Sequence, residues 1–354
     1  MTTGDALHTP LCELTGVTHP IVQTGMGWVA GARLVSATAS AGALGILASA
    51  TMTYSDLEKA IHEVRDRTDR PFGVNLRADQ DDVVARVSLL ERERVAVASF
   101  ANAPGERLTK QCKDAGLVVI PTVGAARHAE KCQAWGADAV IAQGHEGGGH
   151  TGPIPTTLLL PAVVDAVDVP VIAAGGFFDG RGLVAALAYG AAGIAMGTRF
   201  LLTTESTVPD AVKQVYLDTP VTGTVVTEAL DGAPQRVVRT AAVERIARGG
   251  AVTGLPRAAW NAWRFRGITG TSMRSLLREG RQMRKAQDLS WPQVAMAANA
   301  PMLTRATMVE GRLESGILPT GQVVGSIDEL PTVAEVIDRV IAEAKTVLRR
   351  LEGS

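Results

Sequence analysis

At 354 residues, 46% hydrophobic and 20% charged, the chain can bury a sizeable core and lies outside the composition of disordered proteins. Its formal net charge of -1 argues against a nucleic-acid footprint spread over the surface, so no nucleic-acid partner is expected. The opening MTTGDALHTPLCELTG lacks the basic and apolar regions of a signal peptide, and no apolar stretch has the length of a membrane span, so a cytoplasmic protein without membrane contact is expected.

From residue 20 to about 205, short apolar β-branched runs alternate with amphipathic stretches. The runs are PIVQTGM, LGILAS, FGVNLR, VAVASF, LVVIPTVG, AVIAQG, PVIAAGG and GIAMGTRF, and helix-like segments such as YSDLEKAIHEVRDRT and GRGLVAALAYG lie between them. Continuous Val/Ile/Ala runs alternating with helical periods predict a parallel sheet covered by helices. Eight such runs in about 185 residues predict a (β/α)8 TIM barrel, an α/β fold, rather than an open sheet. Residues 222–245 then read as a short β-rich excursion, 245–285 as a basic helical segment, and the chain from Ala334 as a last packing helix. Cys12, Cys112 and Cys132 are odd in number and lack CxxC spacing, which fits buried thiols in a reducing compartment without disulfides or structural zinc.

In such barrels the ligand residues collect at the C-terminal ends of the strands, with phosphate commonly held after the seventh and eighth. The seventh run ends in Gly175-Gly176 and the eighth in Gly197-Thr198. Exposed backbone N–H groups at such turns suit a phosphate; the alternative is tight strand–helix packing with no ligand. The first run ends in Gly25-Met26-Gly27, where backbone could lie flat against a planar ring, and the third reaches Asn75. The sixth ends at Gln143 and opens into GHEGGGHTG, which places His145, Glu146 and His150 at the mouth. A neutral imidazole at position 150 could move a proton near neutral pH. The spacing is not the i, i+4 pair of a zinc-binding helix, so no metal is expected.

Taken in order, PIVQTGMGWVAG, FGVN, AQGHEGGGHTG, VIAAGGFFDGRG, MGTRFLLTTES and TGQVVGSIDELP resemble the nitronate monooxygenase and 2-nitropropane dioxygenase-like flavoproteins, which include the flavin-dependent enoyl-ACP reductases. The resemblance implies an FMN-binding barrel over residues 1–222, a lid or substrate-binding segment over 223–315, and a C-terminal segment, 316–354, returning to the barrel. It implies FMN contacts at Gly25, Met26, Gly27, Asn75, Gln143, Gly175, Gly176, Gly197 and Thr198, with Gln322 beside the flavin and His150 near its N5. Two departures stand out: His145 occupies a position where relatives usually carry an uncharged residue, and Gly147 replaces the commoner alanine. QTGMGWVAGARLVSATASAGALGILASATM and GGFFDGRGLVAALAYGAAGIAMGTRF are similar to an actinobacterial subgroup tied to steroid degradation. That similarity implies an oxidoreductase acting on a carbon–carbon bond near the carbonyl of an acyl-CoA thioester, a hydrindane from rings C and D. Hydride would move between flavin N5 and the β-carbon, His150 and His145 would handle the α-proton, and NADH or NADPH could serve as electron partner. The alternative within the family is oxidation of alkyl nitronates with O2.

Between Arg245 and Lys285 there are ten Lys/Arg and one acidic residue, Glu279. Arg264, Arg266 and Arg274 are candidates to hold the phosphates of CoA, with the adenine stacked on Trp263 or Trp260. The alternative is a solvated face, or one that packs on acidic segments of this chain or of a partner subunit in a homo-oligomer. Two further readings remain at this level: a flavin-free barrel enzyme for a phosphorylated substrate, and a non-catalytic CoA or flavin carrier.

Overall fold

The computed structural model describes residues 5–248 and 291–353. Residues 249–290, which carry Trp263, Arg264, Arg266 and Arg274 of the basic stretch, lie outside the described residues.

All eight runs form strands. β1 (Ile21–Gln23), β2 (Leu44–Ala48), β3 (Phe72–Leu76), β4 (Val97–Phe100), β5 (Val118–Val123) and β6 (Val140–Gln143) are followed by a two-residue strand, β7 (Gly149–His150). Next come β8 (Val171–Ala174) and β9 (Gly193–Met196), and then β10 (Thr224–Thr227) and β11 (Gln235–Val238). β1 to β6, β8 and β9 pair in parallel in that order, and β9 pairs with β1, so the barrel closes. The burial of both faces follows from composition: the strands are rich in buried Val, Ile, Leu and Ala, and only a sheet covered on both faces hides such runs.

Ile46, Val97, Ile120, Ile141 and Ile172 cluster with Val22 and Leu44, all essentially without solvent contact. Each buried aliphatic side chain of this kind contributes roughly 1.5–3 kcal/mol. The helix Pro10–Thr15 closes the N-terminal face, where Leu11 joins this cluster and the Thr9 hydroxyl donates to the carbonyl of Ala192 at 2.6 Å. The opposite face is left for the site.

The β-rich excursion is an antiparallel hairpin, with Thr224 opposite Val238 and Thr227 opposite Gln235. β7 adds to its edge, Gln235 opposite His150, so a three-stranded sheet is built partly from the barrel's own β6 loop. A small second core, comprising Leu230, Val237, Val243, Ala300, Leu303 and Ile317, joins this hairpin to the helix Trp291–Met308. The last helix, Val333–Glu352, opens with a capping box in which Thr332 and Glu335 bond each other's backbone N–H groups. Its Val336, Ile337, Val340 and Ile341 pack into the main core beside the helix Gly180–Ala188. There Gly180 is a close contact: a Cβ would lie 2.7 Å from that of Glu343.

Candidate functional site

The mouth is organised by the segment between β6 and the helix Thr156–Val164. Gln143 ends β6, level with Ala174 of β8, and its Nε2 donates to the carbonyl of His150 at 2.7 Å. Glu146 turns back: its carboxylate accepts from the Thr156 N–H at 2.9 Å and from the Thr156 hydroxyl at 2.7 Å. An anionic acceptor over a helix N-terminus satisfies backbone donors that would otherwise lack partners. Glu146 is therefore engaged as a cap. Gly144 has to be glycine because a Cβ would meet the Thr156 Cα at 2.5 Å. At Gly147 a Cβ would lie 2.7–2.9 Å from the Gln143 side chain, so an alanine there requires that amide to turn.

The two histidines are engaged separately. Half-buried His145 donates Nδ1–H to the Gly152 carbonyl at 2.8 Å, and the His145 carbonyl accepts from the buried Arg236 guanidinium at 3.1 and 3.3 Å. Burial holds the Arg236 pKa below its ordinary value, while Glu146 opposes that shift. His150 is exposed on β7 and points to the hairpin, where Nε2 lies 2.8 Å from Asp231 Oδ2.

The turns after β8 and β9 complete that side. Gly175 and Gly176 both have left-handed φ, +97° and +88°, which glycine adopts without strain. A Cβ on Gly175 would sit 3.1 Å from the Gly144 carbonyl oxygen and the Gly147 nitrogen, so the β8 turn and the β6 loop are in close contact. Buried Thr198 follows Gly197, and its hydroxyl accepts the Gly321 N–H at 2.9 Å. The Thr320-Gly321-Gln322 segment thus returns from the C-terminal end into the mouth. There the Gln322 N–H donates to the Glu146 carbonyl at 2.9 Å. Arg199 next to Thr198 is structural: its Nη2 donates to the carbonyls of Leu202 and Glu329, and burial lowers its pKa to about 10.

Across the mouth, Asn75 lies level with Ser99 of β4 and Ala48 of β2. Gly25 packs on it so closely that a Cβ would lie 2.5 Å from the Asn75 Cβ. Gly197 faces the same turn, with a Cβ position 3.2 Å from the Thr24 hydroxyl and 3.4 Å from the Met26 sulfur. Gln23 is fully buried at the end of β1; its Nε2 donates to the Ile46 carbonyl, and Oε1 has no partner. Trp28 takes a left-handed φ of +65°, which costs a non-glycine residue roughly 1–2 kcal/mol, and its ring lies 5.8 Å from the Arg305 guanidinium of the helix Trp291–Met308.

The structure therefore brings together Gly25, Met26 and Asn75 on one side of the mouth and Gln143, Gly175, Gly176, His150 and Gln322 on the other, with Gly197 against Thr24 and Met26 and Thr198 against Gly321 between them; Gly27 is the exposed end of the first turn. It does not place His145 against His150. Sequence reasoning missed Asp231, Gln235 and Arg236. The only local signal was the Asp231-Gly232 pair between two β-branched runs, which marks a turn but not its partner. Among the described residues no group of His, Cys, Asp and Glu has the arrangement of a metal site, and no helix is long and apolar enough to cross a membrane.

The family model described as nitronate monooxygenase matches residues 8–86 and 82–343. The chain is 59% identical over 338 residues to a protein of Rhodococcus jostii named (3aS,4S,5R,7aS)-5-hydroxy-7a-methyl-1-oxo-octahydro-1H-indene-4-carboxyl-CoA dehydrogenase, covering 96% of each. A protein of the same name from Mycobacterium tuberculosis is 59% identical over 346 residues, covering 97% of this chain and 98% of its own. Among solved structures, FabK from Thermotoga maritima superposes with a TM-score of 0.79 at 35% identity, covering 98% of both chains. A closed barrel with ligand-type turns at one mouth, and sequence agreement along nearly its whole length, make the chain an oxidoreductase of the nitronate monooxygenase family.

Proposed function

We propose that the protein is an FMN-dependent dehydrogenase of a hydrindane carboxyl-CoA thioester, a catabolite of steroid rings C and D. The observation that carries this reading is the 59% identity, over 96% of both chains, to a protein named as a dehydrogenase of such a thioester.

The mouth has the chemistry to hold FMN. Buried Gln23 Oε1 lacks a donor, which a ring N–H would supply. The Gly175-Gly176 and Gly197-Thr198 turns offer backbone donors for a phosphate, and the Glu146 carboxylate is turned onto the Thr156 N–H and hydroxyl. Gly25, Met26, Gly27, Asn75, Gln143 and Gln322 complete the holding set. Bound there, FMN supplies the two-electron redox chemistry. The chain's own contribution is the proton: His150 takes it from, or returns it to, the carbon α to the thioester carbonyl, and fixed donors at the mouth stabilise the enolate-like oxygen. His145 has a secondary part, since its Nδ1–H is committed to Gly152 and only Nε2 is left for chemistry. The hairpin and the helix Trp291–Met308, within 223–315, act as the lid. Arg264, Arg266, Arg274 and Trp263 are proposed to take the CoA end, with NADH or NADPH as the electron partner.

Anaerobic absorbance of the purified protein tests the reading. A yellow protein whose flavin bleaches with a bulky alicyclic CoA thioester, and does not respond to nitronates, supports it. Bleaching with nitronates alone assigns the family's other activity, and a colourless protein that cannot be reconstituted removes the flavin. In the supported case, His150→Ala keeps its FMN and slows bleaching by roughly 10²–10⁴-fold.

A further inference from the structure

Asp231 has no part in the mechanism so far, yet it is a carboxylate held by three partners at the mouth. It sits in the loop between β10 and β11, largely shielded from solvent. Oδ2 lies 2.8 Å from His150 Nε2 and also accepts from Gln235 Nε2, while Oδ1 accepts the Ala233 N–H at 3.1 Å. Gln235 stands directly opposite His150 in the β7–β11 pairing. One small sheet thus sets the imidazole, the carboxylate and the amide that steadies the carboxylate relative to one another.

An ionised carboxylate only accepts, so the hydrogen between the two groups belongs to Nε2. In a neutral imidazole the other nitrogen then carries the lone pair. We propose that Asp231 is a positioning residue that holds His150 as the Nε2–H tautomer, which makes Nδ1 the atom that accepts the substrate proton. The proposal rests on the reading of His150 as the proton-transfer group. In that step the α C–H bond breaks, its electron pair stays on the substrate and enters the new carbon–carbon double bond, and the proton bonds to Nδ1. The accompanying β-hydride would be taken up by the oxidised flavin of the proposed reading, which supplies the two-electron acceptor. A hairpin latch with no chemical role would tie the same residues together and hold the same tautomer, so the test has to read the rate of proton transfer as well as the tautomer.

With all six histidines labelled with ¹⁵N, long-range ¹H–¹⁵N spectra of the flavin-loaded protein report which ring nitrogen is protonated. His150→Gln identifies the signal. The expected wild-type pattern is a protonated Nε2 and a bare Nδ1; a proton on Nδ1 overturns the proposal whatever the variants do. In Asp231→Asn the side-chain amide can donate to Nε2, and a population with the proton on Nδ1 is expected. Thioester-dependent bleaching should slow about 10–100-fold, with the thioester Kd unchanged and a larger kinetic isotope effect from the α-deuterated substrate. Asp231→Glu should recover part of the rate. A folded, flavin-bound Asp231→Asn protein with unchanged bleaching also overturns the proposal. If the wild-type flavin ignores the thioester, the substrate reading falls, while the spectra still decide the tautomer.

Discussion

One of the hydrogen bonds that return the C-terminal segment to the barrel is made by a hydroxyl that can be removed cleanly. Thr198 Oγ1 accepts the Gly321 N–H at 2.9 Å, and both residues are buried. Thr198→Val replaces the hydroxyl by a methyl group of similar size and leaves a buried amide without an acceptor, at a cost of about 1–3 kcal/mol. The segment keeps three other backbone ties: Val238 N–H to Leu318, Thr320 N–H to Arg236 and Gln322 N–H to Glu146. The loss is therefore local, and global unfolding is the wrong observable. Native-state hydrogen exchange, read by mass spectrometry on a peptide spanning 317–326, should show the Gly321 amide exchanging about 5- to 150-fold faster, the same free energy expressed as a ratio. Thr198→Ser should restore the wild-type rate. An exchange rate unchanged in the valine variant would refute the claim that this hydroxyl anchors the segment.

Burial raises the Cys112 thiol from an ordinary 9.0 to about 12 and the Cys132 thiol to about 11. The folded state therefore keeps protons that the unfolded chain loses, and the stability present below pH 9 is lost as pH rises toward the folded values. By pH 10 each thiol should cost roughly 1 kcal/mol, seen as a falling urea midpoint, and a Cys112→Ala/Cys132→Ala protein should be weaker overall but flatter over that range. Gly148→Ala would put a Cβ 2.5 Å from the Gly321 nitrogen and the Thr320 carbonyl carbon; weaker FMN retention on gel filtration and faster exchange over 317–326 are expected, and unchanged values would show that the loop can yield. Glu146→Gln keeps an acceptor over Thr156, so bleaching should stay within about three-fold of wild type, whereas a general acid/base at that position would lose about 10²–10⁴-fold. Glu146→Ala should instead cost about 1–2 kcal/mol of stability as a lost cap, measured by urea unfolding.

The barrel was readable because its evidence is local. LGILA, FGVNL and VIAA bury both faces of a strand, and that requirement is written into four or five consecutive residues. The last helix was readable for the same reason, its apolar residues recurring on one face. The mouth was half readable: glycines at strand ends and His150 mark a place where ligands could sit. Their partners were hidden because nothing near His150 announces Asp231, 81 residues away. Glu146 shows the converse: a carboxylate between two histidines suggests chemistry, yet its neighbour in space is the start of the next helix. β7 was missed because a two-residue strand takes its form from the edge it joins, not from its own composition.

That edge has a bearing on how the molecule is made. The barrel strands pair with neighbours close behind them in the chain, and the closing β1–β9 contact needs no strand beyond Met196. The mouth needs more: His150 waits for Gln235 and Asp231, and Thr198 waits for Gly321, 123 positions later. Contacts so distant in sequence form late. During synthesis the chain passes through a stage with a closed barrel and an unfinished mouth, in which the β6 loop has neither its sheet nor its C-terminal support. If the mouth holds FMN as proposed, the two sides that would grip it meet only after almost the whole chain has been made.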